Sequence, residues 1–213
     1  MSEFVYLGSM CTRDGFCVED IERRVKAGNK VNGALHSFIA SHRVSRKARL
    51  AVHNGVLVPT LMYGSESWVW QKRQASRINA VEMRSLRSMC GVTKNNRIRN
   101  DVIRERCSLK EDVVTRIEKN MLGWFGHLER MNDRRLTKEI YKARVSGSVG
   151  KGRPRRNFHD QINDLFEKGC IRSTKNRRAC MLRLMKVHEA KEMCHDRSKW
   201  NSIVFAYPSG KLA

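Results

Sequence analysis

Cys170, Cys180, His188, Cys194 and His195 are the one group of residues in this sequence with the chemistry of metal ligands. Thiolate and imidazole together would suit zinc. Nine, seven and five residues separate the first four, and the last two are adjacent. No Cys-x-x-Cys pair anchors the group, as zinc knuckles and fingers normally require. Cys180, His188, Cys194 and His195 are therefore kept as metal candidates only, and no cofactor is assigned. No Walker A loop, Gly-x-Ser-x-Gly or His-Glu-x-x-His motif occurs, and no two Asp residues are adjacent. A two-metal polymerase site needs carboxylates close enough to hold both cations. None is offered here, so no catalytic residue is assigned.

What the chain supplies in quantity is positive charge. Its 213 residues hold 43 Lys and Arg against 21 Asp and Glu, a net charge of +22. Such an excess repels itself unless a polyanion neutralises it, which makes RNA or DNA the expected partner. No run of 18 apolar residues, signal peptide or lipidation motif is present, so neither membrane nor secretion is expected. Seven scattered Cys suit reduced thiols in nucleus or cytoplasm.

The elements that would carry this charge read as mainly α. Phe4 to Met10 is a β-prone stretch with a turn at Arg13-Asp14-Gly15, a lone strand without a visible partner. Val18, Ile21, Val25, Gly28, Leu35 and Phe38 mark a helix of about 20 residues. Its polar side offers Arg23, Arg24, Lys26 and Lys30 to phosphates. Ser45 is the expected N-cap of a second, apolar and buried helix, Arg46 to Val58, which Pro59 ends or kinks. A third, from Gln71 to Cys90, turns Ile78, Val81, Leu86 and Met89 inward and Arg73, Arg77, Arg84 and Arg87 outward, and Gly91 stops it.

Arg97 and Arg99 follow in a basic loop, and Asn100 can cap a short helix to Cys107. Ser108 and Glu111 fit a capping box for a long helix to Met131, with Val113 and Val114, Ile117, Met121, Trp124, Leu128 and Met131 as its apolar stripe. Gly123 and Gly126 lie beside that stripe and suggest a backbone passing close by. Ser146 to Gly150 reads as a flexible linker. It leads into Lys151-Gly152-Arg153-Pro154-Arg155-Arg156, whose Lys151, Arg153, Arg155 and Arg156 are phosphate-contact candidates. Helices are expected over Phe158–Phe166 and Arg177–His195, with a final turn at Trp200–Phe205 and a frayed tail.

Several segments in this order resemble the region after the catalytic palm of a non-LTR (LINE-type, RTE-like) retrotransposon endonuclease–reverse transcriptase. They are Tyr6-Leu7-Gly8-Ser9 with Ile21-Glu22-Arg23-Arg24, then Leu61-Met62-Tyr63-Gly64-Ser65-Glu66-Ser67-Trp68, then Arg97-Ile98-Arg99-Asn100. Trp124 to Met131, Gly152 to Arg155 and Asp196 to Trp200 continue the likeness, which spans nearly the whole chain. The resemblance implies a primer-grip β remnant at 1–17, with Tyr6, Leu7 and Gly8 supporting the primer end. It implies a thumb-like helical bundle at 18–92, a helical region at 93–143 containing the long helix 108–131, a basic linker at 144–157, a small helical region at 158–205 and a disordered tail at 206–213. The amino-terminal reverse transcriptase and endonuclease parts of the parent protein are missing from the likeness, and Mg²⁺ would belong to that palm. The expectation is a nucleic-acid-binding fragment without its own polymerase or endonuclease site. Its rivals are a host-repurposed DNA- or RNA-binding protein and a non-binding helical remnant.

Overall fold

The computed structural model describes residues 3–12, 17–143, 156–169 and 185–208. It is mostly helical with a short two-stranded sheet at the amino terminus, the fold class read from the sequence. Two compact units, residues 1–117 and 118–213, each hold their own core.

In the first unit, β1 (Glu3–Tyr6) and β2 (Ser9–Thr12) pair antiparallel, with Val5 opposite Met10. The expected single strand is thus a hairpin that turns at Leu7-Gly8, and the expected turn at Arg13-Asp14-Gly15 lies outside the described residues. Leu7 and Gly8 both have positive φ, 45° and 82°, the conformation whose twist matches a two-residue hairpin. Leu gives no hint of this, because turns of that kind normally advertise themselves with Asn or Gly.

Helix α1 (Val18–Ala34) and α2 (His36–Ala40) replace the one long helix expected, with the break at Leu35. Ser45 caps α3 (Arg46–Val52) through its hydroxyl, which accepts from Ala48 N–H at 3.2 Å. Pro59 neither ends nor breaks the helical run in which it sits. A π-helical turn, His53–Leu57, bridges α3 to α4 (Val58–Met62), with Val58 N–H bonded to His53 C=O. An α-helix would drive the proline ring into the carbonyl four residues back, and the wider turn relieves that clash. This stretch is not buried all round. Ala51, Gly55, Val56 and Pro59 are exposed, while Arg49, His53, Leu57 and Leu61 face inward at four-residue spacing.

Helix α5 (Lys72–Met89) is the spine of this unit and buries Ile78, Val81, Leu86 and Met89 as read from the sequence. It ends in a Schellman motif at Gly91 (φ 64°), with Val92 N–H on Arg87 C=O and Gly91 N–H on Ser88 C=O. Helix α6 (Asn100–Arg106) ends the same way at Ser108 (φ 56°), with Leu109 N–H on Arg104 C=O. Ser108 therefore closes one helix instead of opening the next. Asn100 is likewise not the cap of α6, because its side chain accepts from Arg87 at 2.9 Å. The two motifs bring Cys90 and Cys107 to an Sγ–Sγ separation of 3.4 Å. Both thiols belong to a core with Ile39, Met83, Leu86 and Ile103.

Helix α7 (Val113–Arg130) starts five residues later than the Ser108 reading, capped by Asp112, whose carboxylate accepts from Thr115 N–H at 2.7 Å. Its buried side is Val113, Ile117, Met121, Leu122, Phe125 and Leu128. Trp124, expected in that stripe, is half-buried at its margin. Among the described residues, neither glycine has a passing backbone as its nearest neighbour. Gly123 faces open space among the described residues, and Gly126 faces the indole of Trp200.

The second unit continues with α8 (Leu136–Lys142), α9 (Phe158–Lys168), α10 (Val187–Cys194) and α11 (Arg197–Ala206). Its core joins Phe125, Phe166 and Trp200, with ring centroids 5.7 to 6.4 Å apart. Ile162 and Leu165 point inward as expected, and a true capping box, Asn157 with Asp160, opens α9. Helix α8 had no expectation. It is held by Lys138, buried at the carboxyl end of α7, whose ammonium donates to Leu128 C=O at 2.7 Å and Glu129 C=O at 3.2 Å.

Candidate nucleic-acid interface

The hairpin is fixed to α1 and to the corner after α4 by a small polar cluster. Tyr63 donates its hydroxyl to Leu7 C=O at 2.5 Å, and Arg24 donates to Gly8 C=O. The Arg24 guanidinium also lies 4.6 Å from the centre of the Tyr63 ring. Asp20, buried on α1, accepts from Met10 N–H at 2.9 Å and from Trp68 Nε1 at 3.1 Å. Gly64 has φ 74°, and a Cβ there would sit 2.6 Å from Ser9 Oγ, so only glycine fits. Tyr6–Ser9 and Tyr63–Trp68, more than fifty residues apart, thus fold against each other. Tyr6 and Leu7 stay largely exposed, Leu7 at 72%.

Helices α1 and α5 run side by side in the same direction. Arg77 pairs with Glu22, and one heptad on Arg84 donates to Asn29 at 2.9 Å. Asn32 Nδ2 donates to Val81 C=O at 2.9 Å, locking the pair. Close approach depends on Gly28, where a Cβ would meet Leu61 Cδ2 at 2.6 Å and Val81 Cγ1 at 3.0 Å. Lys26 and Lys30 on α1 and Arg73 and Arg84 on α5 are exposed along this seam. Arg23 is half-buried on the same outer side of α1. Arg24 and Arg77 are already engaged, the first under the hairpin and the second with Glu22.

Arg97 (φ 51°) and Arg99 are exposed in the loop after α5, and Arg99 pairs with Asp101 at 2.8 Å. Arg87 ties this loop back to α5 by donating to Ile98 C=O at 2.7 Å. Arg156 is paired with Asp164. Lys151, Arg153 and Arg155 lie outside the described residues.

The metal candidates divide. Cys194 is buried, and burial pushes its thiol up to about 12. His188 and His195 are exposed, His188 lying 3.8 Å from Glu189. Cys170 and Cys180 lie outside the described residues. Among the described residues no three His, Cys, Asp or Glu side chains cluster so as to hold a metal ion.

Sequence reasoning passed over a buried polar set in the first unit. Glu82 accepts from Val113 N–H at 3.0 Å and lies 3.5 Å from Arg104. Burial raises its carboxyl from 4.5 to about 7, although Arg104 opposes the shift. His53 Nδ1 meets Ser85 Oγ at 3.0 Å, and burial, with Arg116 nearby, lowers the imidazole from 6.5 to about 4. The available signal was Glu82 sitting among Ile78, Val81 and Leu86 on the apolar side of α5.

A transposon-derived protein of Caenorhabditis elegans is 28% identical over 141 residues, 64% of this chain and 50% of that protein. This chain is similar to a transposon-derived protein. It spans half the length of that relative. No family model and no solved structure matches. No helix among the described residues is long and apolar enough to cross a membrane.

Proposed function

We propose that this chain is the primer-grip and thumb-like portion of a non-LTR retrotransposon reverse transcriptase, and that it binds the phosphates of a template–primer duplex. One observation carries the reading. The Tyr6-Leu7-Gly8 turn is held by Tyr63 and Arg24 next to a pair of helices whose exposed seam is basic. The hairpin turn would support the primer end. Lys26, Lys30, Arg73 and Arg84 would follow the backbone, with Arg97 and Arg99 adding to the same contact. Phosphate contacts position a duplex without reading its sequence. The work proposed for this stretch is binding, with polymerisation assigned to the palm of the parent protein.

The test is binding of the purified chain to single-stranded RNA, duplex DNA and an RNA–DNA primer–template across a salt series. The hybrid should bind tightest, with affinity falling steeply as salt rises. Changing Lys26, Lys30, Arg73 and Arg84 together to Ala should reduce the slope of log K against log salt by about 3. No hybrid binding at 150 mM salt, or an unchanged slope in the variant, would overturn the reading.

A further inference from the structure

The side of α7 opposite its buried residues carries Lys119, Asn120, Gly123, His127 and Arg130, with Trp124 at the margin. Gly123 lies at the middle of that side. A Cβ placed there would meet nothing within 4 Å among the described residues. Glycine in a helix interior costs about 1 kcal/mol relative to alanine, and nothing in the described fold requires it here. Beside it the rings of Trp124 and His127 lie 5.2 Å apart at 31°. The chain has four Trp. Trp68, Trp70 and Trp200 are at most 4% exposed, whereas Trp124 is half-buried. Two cations border this strip. Lys119 Nζ donates to Phe205 C=O at 2.9 Å and Arg130 donates to Cys194 C=O at 2.8 Å, which fixes both in place. The two carboxylates nearest in sequence are turned elsewhere, Glu118 to Lys168 and Tyr207 and Glu129 to Lys138 and Tyr141.

We infer that the Gly123–Trp124–His127 face of α7 is a separate binding site for an unpaired nucleotide of single-stranded nucleic acid. The base stacks on the indole–imidazole pair. The sugar-phosphate backbone crosses Gly123, where the absent side chain lets it approach the helix. Lys119, one turn before, and Arg130, two turns after, balance its charge. Stacking of this kind accepts any base, so the site grips strands without reading them. The inference rests on the nucleic-acid-binding reading above but on residues that reading does not use.

The full chain is titrated with labelled oligo(U) RNA by anisotropy, while Trp emission and its quenching by iodide are followed. With three Trp buried, iodide reports Trp124. Saturating oligo(U) should quench the emission and shield the remainder from iodide, and a blunt duplex of equal length should do neither. Gly123→Leu fills the notch with a better helix former. It should melt no lower than the wild type yet bind oligo(U) at least tenfold more weakly, as should His127→Ala. Wild-type affinity in both variants, or iodide quenching unaltered by saturating oligo(U), overturns the inference. If the hybrid still binds with a steep salt slope in that case, only this site is lost. If the chain binds neither hybrid nor single strand, the proposed function falls with it.

Discussion

Trp200 occupies the space that a side chain at Gly126 would need. Its Nε1 and Cδ1 lie 2.2 and 2.3 Å from where a Cβ would stand, and Nε1 donates to Leu122 C=O at 3.0 Å. The Nε1–Cδ1 edge of the indole therefore abuts the α7 backbone, one turn of which supplies both its hydrogen bond and its seat. Gly126→Ala must displace a fully buried ring from a close-packed core. We expect a loss of about 2 kcal/mol by urea denaturation, net of the helix propensity gained. In a Trp200→Phe background the same change should cost markedly less, because the smaller ring leaves room. Additive losses would show that the two residues are not coupled.

Gly123 lies three residues earlier on the same helix and should respond with the opposite sign. With open space around it among the described residues, Gly123→Ala gains helix propensity without a steric clash there. Stability should rise by about 0.5–1 kcal/mol, read as a higher urea midpoint with an unchanged slope.

Asp20 ties the hairpin to α1 and to Trp68 by accepting two hydrogen bonds, a part-buried one from Met10 N–H and a buried one from Trp68 Nε1. Asp20→Ala strands both donors, at a cost of about 3 kcal/mol. Chymotrypsin should then cut at Tyr6 and Leu7 well before the helices are attacked. Tyr63→Phe removes one hydrogen bond to Leu7 C=O and should cost about 1 kcal/mol. Equal protection of Tyr6 and Leu7 in the wild type and Asp20→Ala would remove Asp20 as the anchor.

Glu82 and His53 give the first unit two pH dependences of opposite sign. The Glu82 carboxyl is raised, so the folded state holds a proton that the unfolded chain releases. Its contribution is full below about 4.5 and is lost as pH rises to about 7. The His53 imidazole is lowered, so its contribution is full above about 6.5 and is lost as pH falls to about 4. Each is worth roughly 3 kcal/mol at its limit, and in the wild type they largely cancel between pH 4.5 and 6.5. Glu82→Gln keeps an acceptor for Val113 N–H and removes one slope. Relative to the wild type, it should gain stability as pH rises from 4.5 to 7. His53→Gln should gain stability relative to the wild type as pH falls across the same range. Urea midpoints that keep a constant offset from the wild type would contradict both assignments.

Long amphipathic segments were legible in the sequence. The core of α5 and the inward residues of α9 follow directly from apolar residues at three- and four-residue spacing, and Ser45 and Gly91 mark their helix ends by residue type. Misreadings arose where a residue serves an end other than the one its type suggests. Ser108 looks like an opening cap because Glu111 follows at the right distance, yet it adopts the left-handed conformation that closes α6. Leu7 occupies a positive-φ position that composition assigns to glycine or asparagine. At the candidate interface, the sequence displays every cation but not its neighbour. Arg77 and Arg24 look as available as Arg73 and Lys26 until Glu22 and the hairpin carbonyls are seen beside them. The contact between Tyr63 and Leu7 joins residues 56 apart and leaves no local signature.

The π-helical turn at His53–Leu57 has a consequence for how this stretch tolerates change in length. It spends one residue more than an α-helix would for the same advance, so the extra residue is absorbed in the wider turn. Deleting exposed Gly55 would restore a regular α-helical coil and leave Leu57, Val58 and Leu61 close to the phase they now have. It would, however, press the ring of Pro59 onto the preceding turn. The extra residue is thus a spacer that gives the ring of Pro59 its room. Substitution on its outer surface should be freely accepted, while loss of the extra residue should not.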